Sequence, residues 1–246
     1  MDQFKGKIAL VTGGNSGIGY ATAKELISKG ATVIITGRRK EAIETAANEL
    51  GATAFVSDQS NLSDTEALVS QVIAKFGKLD ILFINAGIGV FTNIDATSEE
   101  QFDQVMDVNF KGAYFTLSKF IPNLNDGASV VFLASNTASM SLASSSVYIS
   151  SKAALVALTK VAAVELAPRK IRVNAVSPGP TQTEIMHKFG LDEQTISHLN
   201  DQMVAQIPLS KIGTAQDVAK LVAYLSDAAA TFITGAEFVI DGGMKL

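Results

Sequence analysis

Short apolar runs rich in β-branched residues recur along the chain, separated by longer stretches with helical patterning. The runs are IALVT at 8–12, TVIIT at 32–36, TAFVS at 53–57, ILFIN at 81–85, SVVFLA at 129–134, IRVNAVS at 171–177 and EFVI at 237–240. Each is almost continuously hydrophobic instead of alternating between apolar and polar, which is the pattern of strands covered on both faces. Parallel strands need crossover helices, and the intervening stretches supply them. The pattern therefore predicts an α/β fold: a doubly wound, seven-stranded parallel sheet sandwiched between two helical layers. Helix starts agree, since Ser63 with Glu66 and Ser98 with Gln101 have the spacing of a capping box. The stretch 178–211 breaks the rhythm, being longer than an ordinary strand-to-helix connection and carrying Met186, Phe189, Leu191, Ile196, Leu199 and Met203. It reads either as a substrate lid or as a helical insertion packed into the core.

Composition narrows the picture. The 246 residues are 47% hydrophobic, and no linker-like tract or internal repeat divides them, so 1–246 read as one domain. A net charge of −4, with Arg38, Arg39 and Lys40 as only a short basic cluster, gives no stripe for a phosphate backbone, and nucleic acid is not an expected partner. The absence of cysteine removes disulfides and thiolate metal sites, and His187 and His198 lack the companions a metal site needs. MDQFKGK has no secretory pattern and no run approaches the roughly 18 consecutive apolar residues of a membrane span, so a cytoplasmic protein away from the membrane is expected.

The first predicted strand runs into TGGNSGIG. Gly13, Gly17 and Gly19 stand where a chain must turn sharply, approach a phosphate and let a helix pack close, demands that a Cβ obstructs. Backbone N–H groups at the following helix start suit a pyrophosphate. After the second strand, Gly37 occupies the place of the ribose-binding acid expected about 20 residues beyond such glycines, and Arg38 and Arg39 follow it. A guanidinium fork there favours a 2′-phosphate, hence NADP(H) over NAD(H). Asp58 after the third strand is a candidate for the adenine or a turn residue, and Asn85, Ala86 and Gly87 after the fourth would let backbone lie along the cofactor. Pro178 and Gly179 continue the series, so chemistry gathers at the carboxyl ends of successive strands, where parallel sheets bind ligands.

Tyr148 and Lys152 stand one helical turn apart in YISSK, and Ser135 closes an apolar run upstream. Three such groups can converge on one carbonyl oxygen, with Tyr148 as general acid/base, Lys152 stabilising its phenolate and Ser135 orienting the substrate oxygen. Lowering a phenol from about 10 to near neutrality takes roughly 4 kcal/mol of differential stabilisation. Lys152 is expected to supply much of it.

Taken together, TGGNSGIG, NAG, VNF, Ser135, YISSK, SPGPTQT and TGAEFVIDGG resemble successive motifs of the short-chain dehydrogenase/reductase family over essentially the whole chain. The resemblance implies a Rossmann-like sandwich and a catalytic set of Asn109, Ser135, Tyr148 and Lys152, with Asn109 holding a proton-relay water. It implies cofactor contacts from Thr12, Gly13, Asn15, Ser16, Gly17, Ile18, Gly19, Asn85, Ala86 and Gly87. Tyr148, Lys152, Pro178, Gly179 and Thr181 or Thr183 extend that set. Ile84 replaces a common Asn before NAG, and Asn136 follows Ser135 in an uncommon way; neither removes a catalytic group. The activity implied is hydride transfer between NADP(H) and a small carbonyl/alcohol pair, with 3-oxoacyl thioester reduction and a non-catalytic NADPH sensor as alternatives. An epimerase or dehydratase is disfavoured because the chain lacks the larger carboxyl-terminal region of such relatives. Val90, Phe91, Ala143, Met186, Phe189 and Leu191 are candidates for an apolar substrate pocket. The resemblance also implies a homotetramer with contacts from helices near 100–121 and 148–166 and from the terminal strand.

Overall fold

Burial on both faces is what the strand sequences demand, and the computed structural model provides it. The structure describes residues 3–182 and 200–246. Seven parallel strands form one sheet: β1 (Ile8–Thr12), β2 (Thr32–Gly37), β3 (Thr53–Val56), β4 (Leu79–Ile84), β5 (Leu124–Leu133), β6 (Arg172–Pro178) and β9 (Glu237–Ile240). Their order across the sheet is β3-β2-β1-β4-β5-β6-β9. A two-residue parallel ladder joins β7 (Thr181–Gln182) to β8 (Gly213–Thr214).

Alternate residues of each strand feed opposite layers, because successive side chains point to opposite faces. Leu10, Leu82, Val130 and Val173 join the core beneath α3 (Leu62–Phe76), α5 (Ala113–Phe120) and α6 (Ser146–Leu166). Val11, Ile81, Phe83 and Val131 join the other, beneath α1 (Gly17–Ser28), α2 (Lys40–Leu50) and α7 (Ala215–Ser226). This is the doubly wound sandwich the sequence pattern predicts.

One expectation about helix starts changes. The helix start assigned to Ser63 and Glu66 belongs to Asn61, whose side chain accepts from the Ser63 N–H and donates to Asp64. The expected box at Ser98 and Gln101 forms, and Thr214 with Asp217 makes another. Among the described residues, Ser146–Arg169 is long and apolar enough to cross a membrane by length and composition, although Lys152, Lys160 and Glu165 interrupt it. In the fold it is a sheet-covering helix, and Leu155, Ala162, Ala163 and Leu166 enter the core. Of the proposed lid at 178–211, residues 183–199 lie outside the described residues, with Met186, His187, Phe189, Leu191, Ile196, His198 and Leu199 among them.

α4 (Glu99–Met106) does not run regularly into α5. A π-helical turn, Asp107–Gly112, lies between them and carries Asn109 fully buried. Gly112 is required there, since a Cβ at that position would overlap the Gln59 carbonyl oxygen. The turn is thereby brought against the segment that follows β3.

Candidate active site

The turn between β1 and α1 makes its glycine requirement visible. Gly13 and Gly17 have φ of 66° and 56°, in the left-handed region where L side chains are strained. A Cβ on Gly14 would come within 2.6 Å of the Ile35 side chain, and one on Gly19 would overlap the Gly13 carbonyl. Gly14 is a residue the sequence reading passed over. Its signal was the doubled glycine at the strand end, where the turn must also clear the neighbouring strand.

Beyond the turn lies a groove of about 560 Å³. Gly13, Asn15, Ser16, Gly17 and Ile18 form one wall, Arg38, Arg39 and Asp58 the far end, and Asn85, Ala86 and Gly87 the other wall. The first turn of α1 carries no acidic residue, so its N–H groups present unopposed partial positive charge to the groove. Arg38 and Arg39 are exposed, and among the described residues neither forms an ion pair. A close backbone cradle, a helix amino terminus and exposed guanidinium groups fit a dinucleotide phosphate. Asp58 lines the groove but is also a turn residue, its Oδ1 accepting from the Ser60 N–H at 3.0 Å and hydroxyl at 2.7 Å. Sequence reading missed Gln59, which lines the groove and donates through Nε2 to the Ala86 carbonyl at 3.2 Å and the Val108 carbonyl at 2.9 Å.

Thr12 sits differently from the expected cofactor contact. Its hydroxyl is buried and accepts from the backbone N–H groups of Asn85 and Ala86, each at 3.0 Å. Asn85 returns the bond, donating from Nδ2 to the carbonyls of Thr12 at 2.8 Å and Gly13 at 3.1 Å. Thr12 thus ties the ends of β1 and β4 together and shapes the groove without lining it. Gly19 likewise serves helix packing.

At the carboxyl edge of β5, Ser135, Tyr148 and Lys152 come together. The Tyr148 phenol is raised above its ordinary value chiefly by burial, with hydrogen bonding from Ser135 acting in the opposite sense. Lys152 is almost wholly buried, donates to the Leu133 carbonyl at 2.8 Å, and holds its ammonium 5.9 Å from the Tyr148 ring centre. Burial lowers Lys152 from 10.5 to about 8. The expectation that Lys152 supplies much of the phenol's acidity therefore changes for the protein by itself: desolvation dominates at the phenol, and the amine is engaged by a backbone carbonyl.

Asn109 joins the site through its side chain, which is fixed against the loop after β4 and against α6. Its Oδ1 accepts from the Ile88 N–H at 2.8 Å, and its Nδ2 donates to the Ile88 carbonyl at 2.9 Å and the Ser151 hydroxyl at 3.1 Å. Both amide protons are taken, so the side chain acts as a brace. Pro178 and Gly179 stand at the end of β6 and Thr181 opens β7, with the Thr181 hydroxyl donating to the Gly179 carbonyl at 2.9 Å; Thr183 lies outside the described residues. Of the expected substrate pocket, Phe91 packs its ring 5.8 Å from that of Tyr148 at 55°.

The order of strands, the glycine turn and the Ser/Tyr/Lys cluster are those of a known family, and the comparisons agree. A family profile described as "Enoyl-(Acyl carrier protein) reductase" matches residues 13–245. A short chain dehydrogenase/reductase from Cryptosporiopsis sp. (strain 8999) is 33% identical over 251 residues, covering 97% of this chain and 95% of the relative. The chain belongs to the short-chain dehydrogenase/reductase family. A solved mutant of a Serratia marcescens member of that family has a TM-score of 0.91 at 33% identity, covering 99% of this chain and 100% of the other. A blue fluorescent protein from a metagenomic library, solved in complex with NADPH, has a TM-score of 0.91 at 27% identity, with coverage of 99% and 100%. Membership makes the protein an oxidoreductase of the nicotinamide-using kind.

The buried amine carries a stability cost whose sign can be tested. A lysine lowered from 10.5 to about 8 by burial destabilises the fold by about 3 kcal/mol while the unfolded chain stays protonated. That cost is fully present below about pH 8, declines as the folded protein deprotonates, and is gone above 10.5. Lys152→Met, of similar length and apolar, is expected to raise the Tm of the cofactor-free protein by several degrees at pH 7, with the gain shrinking towards pH 10. A lower Tm for the variant across this range would contradict the desolvation account.

Proposed function

We propose that this protein transfers hydride between NADP(H) and a carbonyl/alcohol pair, chiefly reducing a ketone to a secondary alcohol. One observation carries the reading: a phenol, a buried amine and a serine hydroxyl lie together beside a groove that opens onto a helix amino terminus and two exposed guanidinium groups. The nicotinamide, when bound, supplies or accepts the hydride. Ser135 then donates a hydrogen bond to the substrate oxygen, and Tyr148 passes its proton to that oxygen as negative charge builds on it. Lys152 holds positive charge near the phenol and lowers the energy of the phenolate that remains. In oxidation the same residues run in reverse.

Support for NADP(H) comes from Arg38 and Arg39 and from Gly37 in place of an acid; one solved relative carries NADPH. The Phe91 ring against Tyr148 supports an apolar substituent on the ketone. A homotetramer is part of the proposal. It is supported by exposed apolar side chains on the adjoining helices α4, α5 and α6, namely Phe102, Tyr114, Val161 and Val164, and by Phe232, Val239 and Leu246 towards the carboxyl end. Such patches mark interaction surfaces.

Three outcomes are expected. Tyr148→Phe keeps its fold and binds NADPH but loses at least about a hundredfold in kcat across a panel of ketones, aldehydes and 3-oxoacyl thioesters; near-normal turnover ends the assignment. Arg38→Ala lowers the ratio of NADPH to NADH efficiency about tenfold or more, the scale of a charge-assisted phosphate contact; an unchanged ratio removes the NADP preference. Sedimentation of the intact chain gives a tetramer, and a monomer at working concentration refutes the assembly.

A further inference from the structure

Thr137 stands two residues beyond Ser135, in the 3-10 turn Asn136–Ser139. Its hydroxyl donates to Ser135 Oγ at 2.8 Å and its backbone N–H donates to the same oxygen at 3.3 Å. A serine hydroxyl has one proton and two lone pairs, so a single residue fills both acceptor positions. What is left to Ser135 is its own O–H, which lies within hydrogen-bonding influence of the Tyr148 phenol. The two bonds are unequal. An O–H···O contact at 2.8 Å is at the optimum, whereas 3.3 Å is long for N–H···O, so the threonine side chain carries most of the effect.

We propose that Thr137 is a positioning residue for the reaction: by occupying the lone pairs of Ser135 it makes that hydroxyl a donor, to the phenol in the free protein and to the substrate oxygen once substrate is bound. Without Thr137 Oγ1, the Ser135 proton is free to rotate and its oxygen can accept from Tyr148, which stabilises the protonated phenol instead of the phenolate. With it, only donation remains, and donation favours the charged form of both the phenol and the substrate alkoxide. Hydrogen-bond chains also polarise one another, so a hydroxyl that accepts from Thr137 becomes a stronger donor in turn. The role rests on the proposed reduction, because it assumes that Ser135 meets the substrate oxygen.

The surroundings of the phenol define what a pH measurement reads. From its own helix comes the charged group, Lys152, with its nitrogen 5.9 Å from the ring centre. The end of β5 contributes the hydroxyls of Ser135 and Thr137, and the loop after β4 contributes the Phe91 ring. Of these groups only Lys152 and Tyr148 titrate in the range of interest. Neither substitution below touches them.

The test uses Thr137→Val, which keeps shape and the backbone N–H but removes the hydroxyl, and Thr137→Ser, which restores it. In cofactor-free protein with 13C-labelled tyrosine rings, the Tyr148 signal is assigned by its loss in Tyr148→Phe. Thr137→Val shifts its titration to higher pH, and Thr137→Ser brings it back. With NADPH and ketone, Thr137→Val lowers kcat about fivefold, the size of one hydrogen bond, while the KM for NADPH stays put. In alcohol oxidation the alkaline-rising limb of the rate moves up in pH in the same variant. A wild-type titration and kcat in Thr137→Val, or failure of Thr137→Ser to restore both, overturns the proposal. If the valine disturbs the turn, as a lowered Tm would reveal, Thr137→Ala removes the same hydroxyl and must give the same shift. Absence of wild-type turnover across the ketone panel would sink the proposed function, yet the tyrosine titration would still report on Thr137 by itself.

Discussion

The site depends on a buried amine that no carboxylate neutralises among the described residues. Lys152 reaches through the start of α6 to the carbonyl of Leu133, the last residue of β5, and is almost wholly removed from water. A desolvated cation with only a neutral partner loses its proton more readily, which is why burial brings it to about 8. The space it occupies must be kept clear. A side chain on Gly87 would begin 3.3 Å from the Lys152 nitrogen and 3.2 Å from Asn109 Oδ1, a contact tight enough that either group would have to shift by a few tenths of an ångström. The same glycine therefore serves the groove on one side and the amine on the other.

Loops at the carboxyl edge are not independent decorations of the sheet. The Tyr148 carbonyl accepts from the Ser151 hydroxyl, that hydroxyl accepts from Asn109, and Asn109 holds both backbone groups of Ile88. Gln59 then ties Ala86 to Val108, and Thr12 ties Ala86 and Asn85 back to β1. A continuous run of side chain to backbone bonds thus joins the phosphate end of the groove to the helix that bears the phenol. The π-helical turn makes the run possible. Its wider winding carries the Val108 carbonyl and the Asn109 side chain where Gln59 and Ile88 can meet them, and Gly112 lets the turn approach without a clash. Structural polarity and functional polarity are hard to separate in such a network, since each bond that fixes a loop also fixes a reacting group.

Sequence patterns read well where one local rule dominated. Both-face burial writes itself into continuous apolar runs, so all the strands of the main sheet were legible, and β1 and β9 to the residue. The glycine turn, the arginines after β2 and the Tyr/Lys spacing were legible for the same kind of reason: a backbone conformation or a helical period demands them. Failures came where two local readings competed. The stretch NLSDTE carries capping spacing in two registers, and contacts of Asp64 with Asn61 and with the Asp58 N–H accompany the choice of Asn61 over Ser63.

Order of elements, strand identity, the glycine turn and the residue types at the reacting centre were therefore written in the chain, because period, turn stereochemistry and residue spacing act over a few neighbours. Packing alone decided the rest. Asn109 became a brace through partners 21 and 42 positions away, Thr12 faced a loop more than seventy residues distant, and Ser135 lost its acceptor capacity to Thr137. Whether the phenol and the amine gain or lose protons easily was likewise settled by how much water the folded layers exclude, a quantity that exists only once both faces of the sheet are covered.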